Sequence, residues 1–165
     1  MRFRVGLGFD IHPFGDGNGP LVLGGVSIDG AARLAGHSDG DAIAHAVSDA
    51  ILGGAGLPDL GTLFPATDEQ WRDADSMAML RDVAERVAHE RWWVANVDVV
   101  VAAETPKLAP HVEQMHANIS GALEPAREPM GEPIMVSITP KRGEGLGAIG
   151  RAEGIAVWAI ASLGR

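Results

Sequence analysis

The sequence predicts a two-layer α/β domain: a mixed β-sheet with helices packed on one face. Two observations carry this. Apolar runs rich in β-branched residues alternate with segments whose apolar positions recur every three to four residues, and such alternation packs as helices on a sheet. The chain has 165 residues, 46% hydrophobic and 21% charged, which suits one globular domain with a buried core. Residues 1–165 are therefore read as a single domain.

RFRVGLGF (2–9) reads as a strand, interrupted by glycine where another element must approach the backbone. GDGNGP (15–20) reads as a turn and LVLGGVSI (21–28) as a second strand, which predicts a hairpin between the two. Ser38 to Gly53 is expected to be helical, because Ile43, Val47, Ala50 and Ile51 keep a helical period and Ser38 with Asp41 resembles a capping pair. Residues 53–71 are punctuated by Gly and Pro and read as a long loop of the kind that carries function.

Asp75 or Ser76 can cap a helix running to about His89, with Met79, Leu80, Val83 and Val87 on its apolar face. WVANVDVVVAAE (93–104) is β-branched enough for a central strand. A helix is expected after Pro106 and Pro110, through Leu123, and IMVSIT (134–139) reads as a strand. EGIAVWAIASL (153–163) fits either period; its branched residues and preceding glycines favour a strand.

The net charge of −9 argues against a nucleic-acid partner, which needs a basic face. It leaves an anionic small substrate open, since glycines, backbone amides, a few cations and a metal can bind phosphate locally. Cysteine is absent, so disulfides, thiolate ligands and a Cys nucleophile are excluded. No apolar run approaches the roughly 18 residues of a membrane span, and MRFRVGLGF has no continuous apolar core of a signal peptide. A cytoplasmic protein without a membrane partner is expected.

In GFDIHPF (8–14), Asp10 and His12 stand two apart and face the same way from a strand. Alone, such a pair is more often a surface pair than half of a metal site. HSDGDAIAHAVSDAILG (37–53) supplies a third candidate ligand, because Asp41, His45 and Asp49 share one helix face. The two carboxylates could orient the second ring nitrogen of His45. Asp10, His12 and His45 would then form an N/N/O set with one position open, as in catalytic zinc sites.

With DLGTLFPATD (59–68), ADS (74–76), NVDVVVAAETPKLAPH (96–111) and EGLGAIGRAEGIA (144–156), these stretches span nearly the whole chain in order. The chain resembles the 2-C-methyl-D-erythritol 2,4-cyclodiphosphate synthase family. The resemblance implies a homotrimer with active sites between adjacent subunits. It also implies conversion of 4-diphosphocytidyl-2-C-methyl-D-erythritol 2-phosphate to the cyclic diphosphate and CMP. The substrate's own 2-phosphate attacks the β-phosphorus, so the protein's tasks are positioning and charge neutralisation.

By the same resemblance, Asp10, His12 and His45 hold one zinc per subunit, and Glu144 holds a second divalent ion, magnesium or manganese, with the substrate diphosphate. His37 would stabilise the transition state, and Arg142 stands where relatives carry a threonine given that role. Asp10, His12, His37 and Ser38 would contact substrate. Asp59, Leu60 and Gly61, with Phe64 to Asp68 beside them, would bind the methylerythritol. Ala103, Pro106, Lys107, Leu108 and Ala109 would form the cytidine pocket, and Lys141, Arg142, Gly143 and Glu144 the diphosphate loop. Arg151 matches an arginine near the trimer axis, beside a cavity proposed to take an isoprenoid diphosphate.

Two departures from the family pattern that the resemblance implies stand out: Lys141-Arg142-Gly143-Glu144 stands where the family commonly has T-T-T-E, and Ala66 where many relatives have aspartate. Simpler roles remain open at several positions. Ser38 and Asp39 could cap the helix, Asp49 could lie behind the ligands or at the surface, and Arg151 with Glu153 could be an ordinary ion pair. His89, His111 and His116 fit no motif and read as surface residues. The alternative functions are a divergent metal-dependent phosphoryl enzyme and a non-catalytic nucleotide or isoprenoid-diphosphate binder on the same fold.

Overall fold

The computed structural model describes residues 2–16, 19–129 and 131–165; Gly17 and Asn18, the centre of the expected 15–20 turn, lie outside them. The first elements are β1 (Phe3–Pro13), β2 (Leu21–Leu23), β3 (Val26–Ile28), α1 (Ala42–Ala55) and the short α2 (Leu60–Leu63). They are followed by α3 (Ser76–His89), β4 (Trp93–Ala102), α4 (Val112–Leu123), β5 (Met135–Lys141), the one-turn α5 (Gly147–Gly150) and β6 (Gly154–Gly164).

The main sheet has the order β1-β6-β4-β5, antiparallel except for the β4–β5 pair. That parallel pair requires a crossover, which α4 supplies. The C-terminal segment is a strand, as its branched residues suggested. The expected hairpin is corrected. Residues 21–28 are two three-residue strands paired with each other, and β1 pairs with β6 instead. The cause is Gly24-Gly25, whose φ angles of 56° and 68° suit a two-residue turn with both central residues left-handed.

One face of the sheet is covered. Val97, Val99 and Val101 of β4 and Ile155, Val157 and Leu163 of β6 are buried with Ile43 and Ile51 of α1, Leu80 of α3 and Ile119 of α4. The other face carries Val5, Leu7, Phe9, Ile11, Trp158 and Ile160, all exposed in the single chain.

Helix α1 starts later than the period suggested, because Asp41 and not Ser38 caps it. The Asp41 carboxylate accepts from Ile43 N at 3.1 Å and Ala44 N at 3.0 Å. It also accepts from Gly24 N at 2.8 Å and Gly25 N at 2.7 Å, tying the β2–β3 turn to the helix start. The expected 53–71 loop contains α2, capped by Asp59, and a single 3₁₀ turn at Glu69–Trp71. Asp75 caps α3.

Helix α1 runs antiparallel across β1 at backbone contact. A β-carbon on Gly6 would lie 1.8 Å from the Ala50 carbonyl oxygen, and one on Gly8 would lie 1.9 Å from that of Ala46. Each two-residue step along the strand thus matches one helical turn backwards. The next step is Asp10, and the matching turn holds His45.

Candidate metal centre

That stacking brings the three candidate ligands together. Asp10 Oδ2 lies 3.0 Å from His12 Nδ1 and 3.1 Å from His45 Nδ1. One donor atom from each residue falls within 4.8 Å of the others. His12 Nδ1 is buried and makes no hydrogen bond, since its contact with Asp10 is not aligned for one. Three lone-pair donors facing one another in a half-buried position call for a cation, and an N/N/O set suits zinc. The residues therefore fit the metal that the sequence implies.

The electrostatics agree. Burial raises the Asp10 pKa, but the two imidazoles outweigh it and hold the carboxyl below its ordinary value. Burial pulls His45 down, but its bond to Asp10 and the charges of Asp10, Asp41 and Asp39 lift it above the ordinary range.

The expected orientation of His45 by Asp41 and Asp49 is corrected. Asp41 is committed to four backbone amides, and Asp49 accepts from Leu60 N at 2.8 Å. Burial raises the pKa of both carboxyls. His45 Nε2 instead meets Ser76 Oγ at 2.9 Å and Ser38 Oγ at 3.2 Å. Sequence spacing placed the carboxylates on the right face, but the helix start and the α2 turn each claim one.

A cavity of about 230 Å³ opens beside the ligands, lined by His12, His37, Ser38, His45, Leu60, Gly61 and Phe64 of the expected set. Ala66, Trp71 and Met79 complete its wall. Trp71 packs edge-on against Phe64, with ring centroids 4.9 Å apart. Sequence reasoning missed Trp71, at the end of the 53–71 loop, and read Met79 only as core. His37 Nε2 is buried at this cavity without a hydrogen-bond partner. Asp59 and Asp68 do not line it; they cap α2 and the 3₁₀ turn through Thr62 N at 2.8 Å and Gln70 N at 3.1 Å. Ser38 does not cap α1, but its Oγ accepts from Gly40 N at 3.3 Å.

The later residues gather elsewhere, where β4 and β5 end. Ala103 N donates to Lys141 O at 2.9 Å. Arg142 pairs with Glu104, which also accepts from Gly143 N at 3.0 Å. The Arg142 contact holds the Glu104 carboxyl below its ordinary value. Ala103 and Leu108 are buried, while Lys107, Ala109, Lys141 and Glu144 are exposed, and Glu144 adopts a left-handed φ of 51°. Pro106 lines a separate cavity of about 300 Å³ with Phe14 and Ala152. None of these residues lines the metal-side cavity. Arg151 pairs with Glu153 at 2.6 Å at the surface. His89 and His116 are exposed and His111 half-buried.

The profile of the YgbB family matches residues 3–164. The chain belongs to the YgbB family. This YgbB-family chain is 48% identical over 160 residues to 2-C-methyl-D-erythritol 2,4-cyclodiphosphate synthase of Salinibacter ruber, covering 97% of the chain and 98% of that protein. Among solved structures it is similar to the bifunctional IspDF of Campylobacter jejuni, with a TM-score of 0.88 and 39% identity over 98% of the chain and 42% of that longer protein. It is also similar to the CDP complex of Plasmodium falciparum IspF, with a TM-score of 0.80 and 34% identity over 98% of the chain and 95% of that one.

Proposed function

We propose that this YgbB-family chain converts 4-diphosphocytidyl-2-C-methyl-D-erythritol 2-phosphate to 2-C-methyl-D-erythritol 2,4-cyclodiphosphate and CMP, a step in isoprenoid precursor synthesis. The observation that carries this is the Asp10–His12–His45 cluster opening onto a small cavity with an unpartnered His37 Nε2, in a chain that matches a synthase of that name over nearly its full length. A 2-phosphate oxygen attacks the β-phosphorus, the bond to the bridging oxygen breaks, and CMP departs with the electron pair. No protein nucleophile is required.

Asp10, His12 and His45 hold one zinc, which when bound polarises the β-phosphate as a Lewis acid. His37 stands ready to donate to phosphate oxygen as charge grows there, and Ser38 lies beside it. Leu60, Gly61 and Phe64 enclose the methylerythritol, with Asp59 and Asp68 at the rim. The 103–109 loop takes cytidine and Lys107 reaches phosphate. Lys141, Arg142 and Gly143 face the diphosphate, and Glu144 would hold magnesium or manganese there, oxygen ligation suiting a hard ion.

The active form is a homotrimer with sites between subunits. Two facts support this. None of the late residue group lines the cavity that the early group forms in one chain, and the uncovered sheet face is a contiguous apolar surface of the kind that mates with another copy. Arg151 lies near the trimer axis in this arrangement. Among the described residues no helix is long and apolar enough to cross a membrane, and a cysteine-free chain suits a cytoplasmic enzyme as well as any other. The deciding experiment incubates the purified, zinc- and magnesium-supplied protein with the diphosphocytidyl substrate and follows phosphorus resonances. CMP and a cyclic diphosphate are expected; an unchanged substrate or an acyclic product refutes the reading.

A further inference from the structure

Ser76 is fully buried, yet the cyclisation described above gives it no task. Its hydroxyl meets three polar partners: Asp39 Oδ1 at short range, His45 Nε2 at 2.9 Å and Ser38 Oγ at 3.3 Å. The directions of these bonds follow from what each group can do. A carboxylate only accepts. Asp39 takes Asp41 N–H at 3.2 Å on Oδ1, Ser76 N–H at 3.2 Å on Oδ2, and the Ser76 hydroxyl proton. With its single proton given to Asp39, Ser76 Oγ can only accept from His45. That 2.9 Å contact is then a hydrogen bond only with the His45 proton on Nε2.

In the neutral form that a metal requires, the imidazole has one N–H, so Nδ1 is then bare. Nδ1 is the nitrogen that faces Asp10 Oδ2 at 3.1 Å, inside the ligand cluster. We propose that Asp39 and Ser76 form a relay that fixes His45 as the Nε2–H tautomer and presents its Nδ1 lone pair to the metal. Both are positioning residues of the metal centre. The arrangement is that of a carboxylate orienting a ligating histidine, with a serine hydroxyl interposed. Ser38 Oγ also lies near Nε2 and accepts from Gly40 N–H. Asp39 also lines a surface cleft of about 650 Å³. The relay joins the turn before α1 to the first residue of α3, so it also sets the spacing of the two helix starts.

The inference rests on the zinc reading above and is tested apart from turnover. In the zinc-loaded wild type labelled with ¹⁵N-histidine, long-range ¹H–¹⁵N correlation should place the His45 proton on Nε2; a proton on Nδ1 overturns the relay. Zinc affinity is then measured by chelator competition on metal-stripped protein. Ser76→Ala and Asp39→Ala should each weaken binding by about 10-fold or more, within the range for such orienting partners. The double variant should be no weaker than the worse single one, because both break the same chain. Ser48→Ala should stay within about 2-fold of wild type by the same reasoning, since that buried hydroxyl bonds only Ala44 O in α1. Unchanged affinity in Ser76→Ala, or losses that multiply in the double variant, overturns the proposal. A wild type that binds zinc with this tautomer but releases no CMP refutes the cyclisation and leaves the relay standing.

Discussion

Gly8 lies so close beneath Ala46 that a β-carbon there would stand 1.9 Å from the Ala46 carbonyl oxygen. The neighbour is helix backbone, which cannot turn aside as a side chain can. Gly8→Ala must lift α1 from β1 or bend the strand. Overpacking typically costs about 1–3 kcal/mol and occasionally more, and this variant belongs at the upper end. Because the same contact sets His45 over Asp10, zinc affinity should fall with stability. Urea unfolding and chelator competition check both; a variant of wild-type stability would show that α1 can shift freely.

Metal removal should expose a pH dependence that zinc masks. Asp10 is held below its ordinary 3.8, so its contribution to stability is present above that value and lost as the pH falls through the lower folded pKa. His45 is held above its ordinary 6.5. Its contribution is full below 6.5 and is lost as the pH rises through the folded pKa, where the native state binds more protons than the unfolded chain. The Tm of chelator-treated protein should therefore decline above pH 6.5. Zinc should remove that decline, and His45→Ala should flatten it while losing stoichiometric zinc and activity together. Thermal scans with elemental analysis test this, and zinc retained in His45→Ala would unseat the ligand assignment.

The Asp10–His12 half of the candidate cluster was legible in the sequence because residues i and i+2 of a strand share a face; His45 was singled out by flanking carboxylates that the structure shows engaged with backbone amides instead. The partner of His45 Nε2 was not legible. Ser76 reads as a helix cap, and only the docking of α3 against the start of α1 puts its hydroxyl at Nε2. The same holds for Asp41, two of whose four amide donors come from the Gly24-Gly25 turn far upstream. That turn carried its own signal: two adjacent glycines in an apolar run mark a reversal, which breaks the continuous strand read over 21–28. The strand partners of β1 were misread for a different reason, since the pairing of β1 with β6 closes across almost the whole chain and no local pattern encodes it.

The uncovered sheet face makes the trimer testable. Ile160 is 49% exposed in the single chain, so a charge there should cost the fold little on its own. In a trimer the same residue would be buried, and an unpaired buried charge is strongly disfavoured. Ile160→Asp should shift light scattering from trimer to monomer and abolish CMP release, with zinc still bound. An active wild-type monomer, or an active Ile160→Asp trimer, would remove this face from the interface.

Glu144 should matter for turnover more than for nucleotide binding. On the proposed reading, a carboxylate that would hold a divalent ion at the diphosphate would act where charge grows in the transition state. Glu144→Gln should lower kcat by about 10²-fold or more, the scale for loss of one preorganised electrostatic contact, while CMP affinity changes little. Near-normal kcat with weak CMP binding would contradict the role. The exposed side chain on a left-handed backbone makes a folding defect in this conservative variant unexpected.

Arg142, which the family resemblance sets in place of a hydroxyl residue, finds an anchor in the structure. One edge of its guanidinium meets Glu104, which also takes Gly143 N–H at 3.0 Å, so the 141–144 loop is clamped to the 103–109 loop. A guanidinium carries five N–H donors, leaving the other edge to reach the diphosphate in the fork geometry that suits phosphate. The Arg142 side chain is 61% exposed, and exposed charge contacts weaken with salt. Substrate KM in the wild type should therefore rise with ionic strength. Arg142→Thr, which exchanges the cation for a hydroxyl, should lose only modest activity and flatten that dependence. Glu104→Gln should raise KM at low salt while keeping the slope, because the cation remains but its clamp is loosened. Identical salt series for wild type and Arg142→Thr would show that the arginine serves Glu104 alone and never meets substrate.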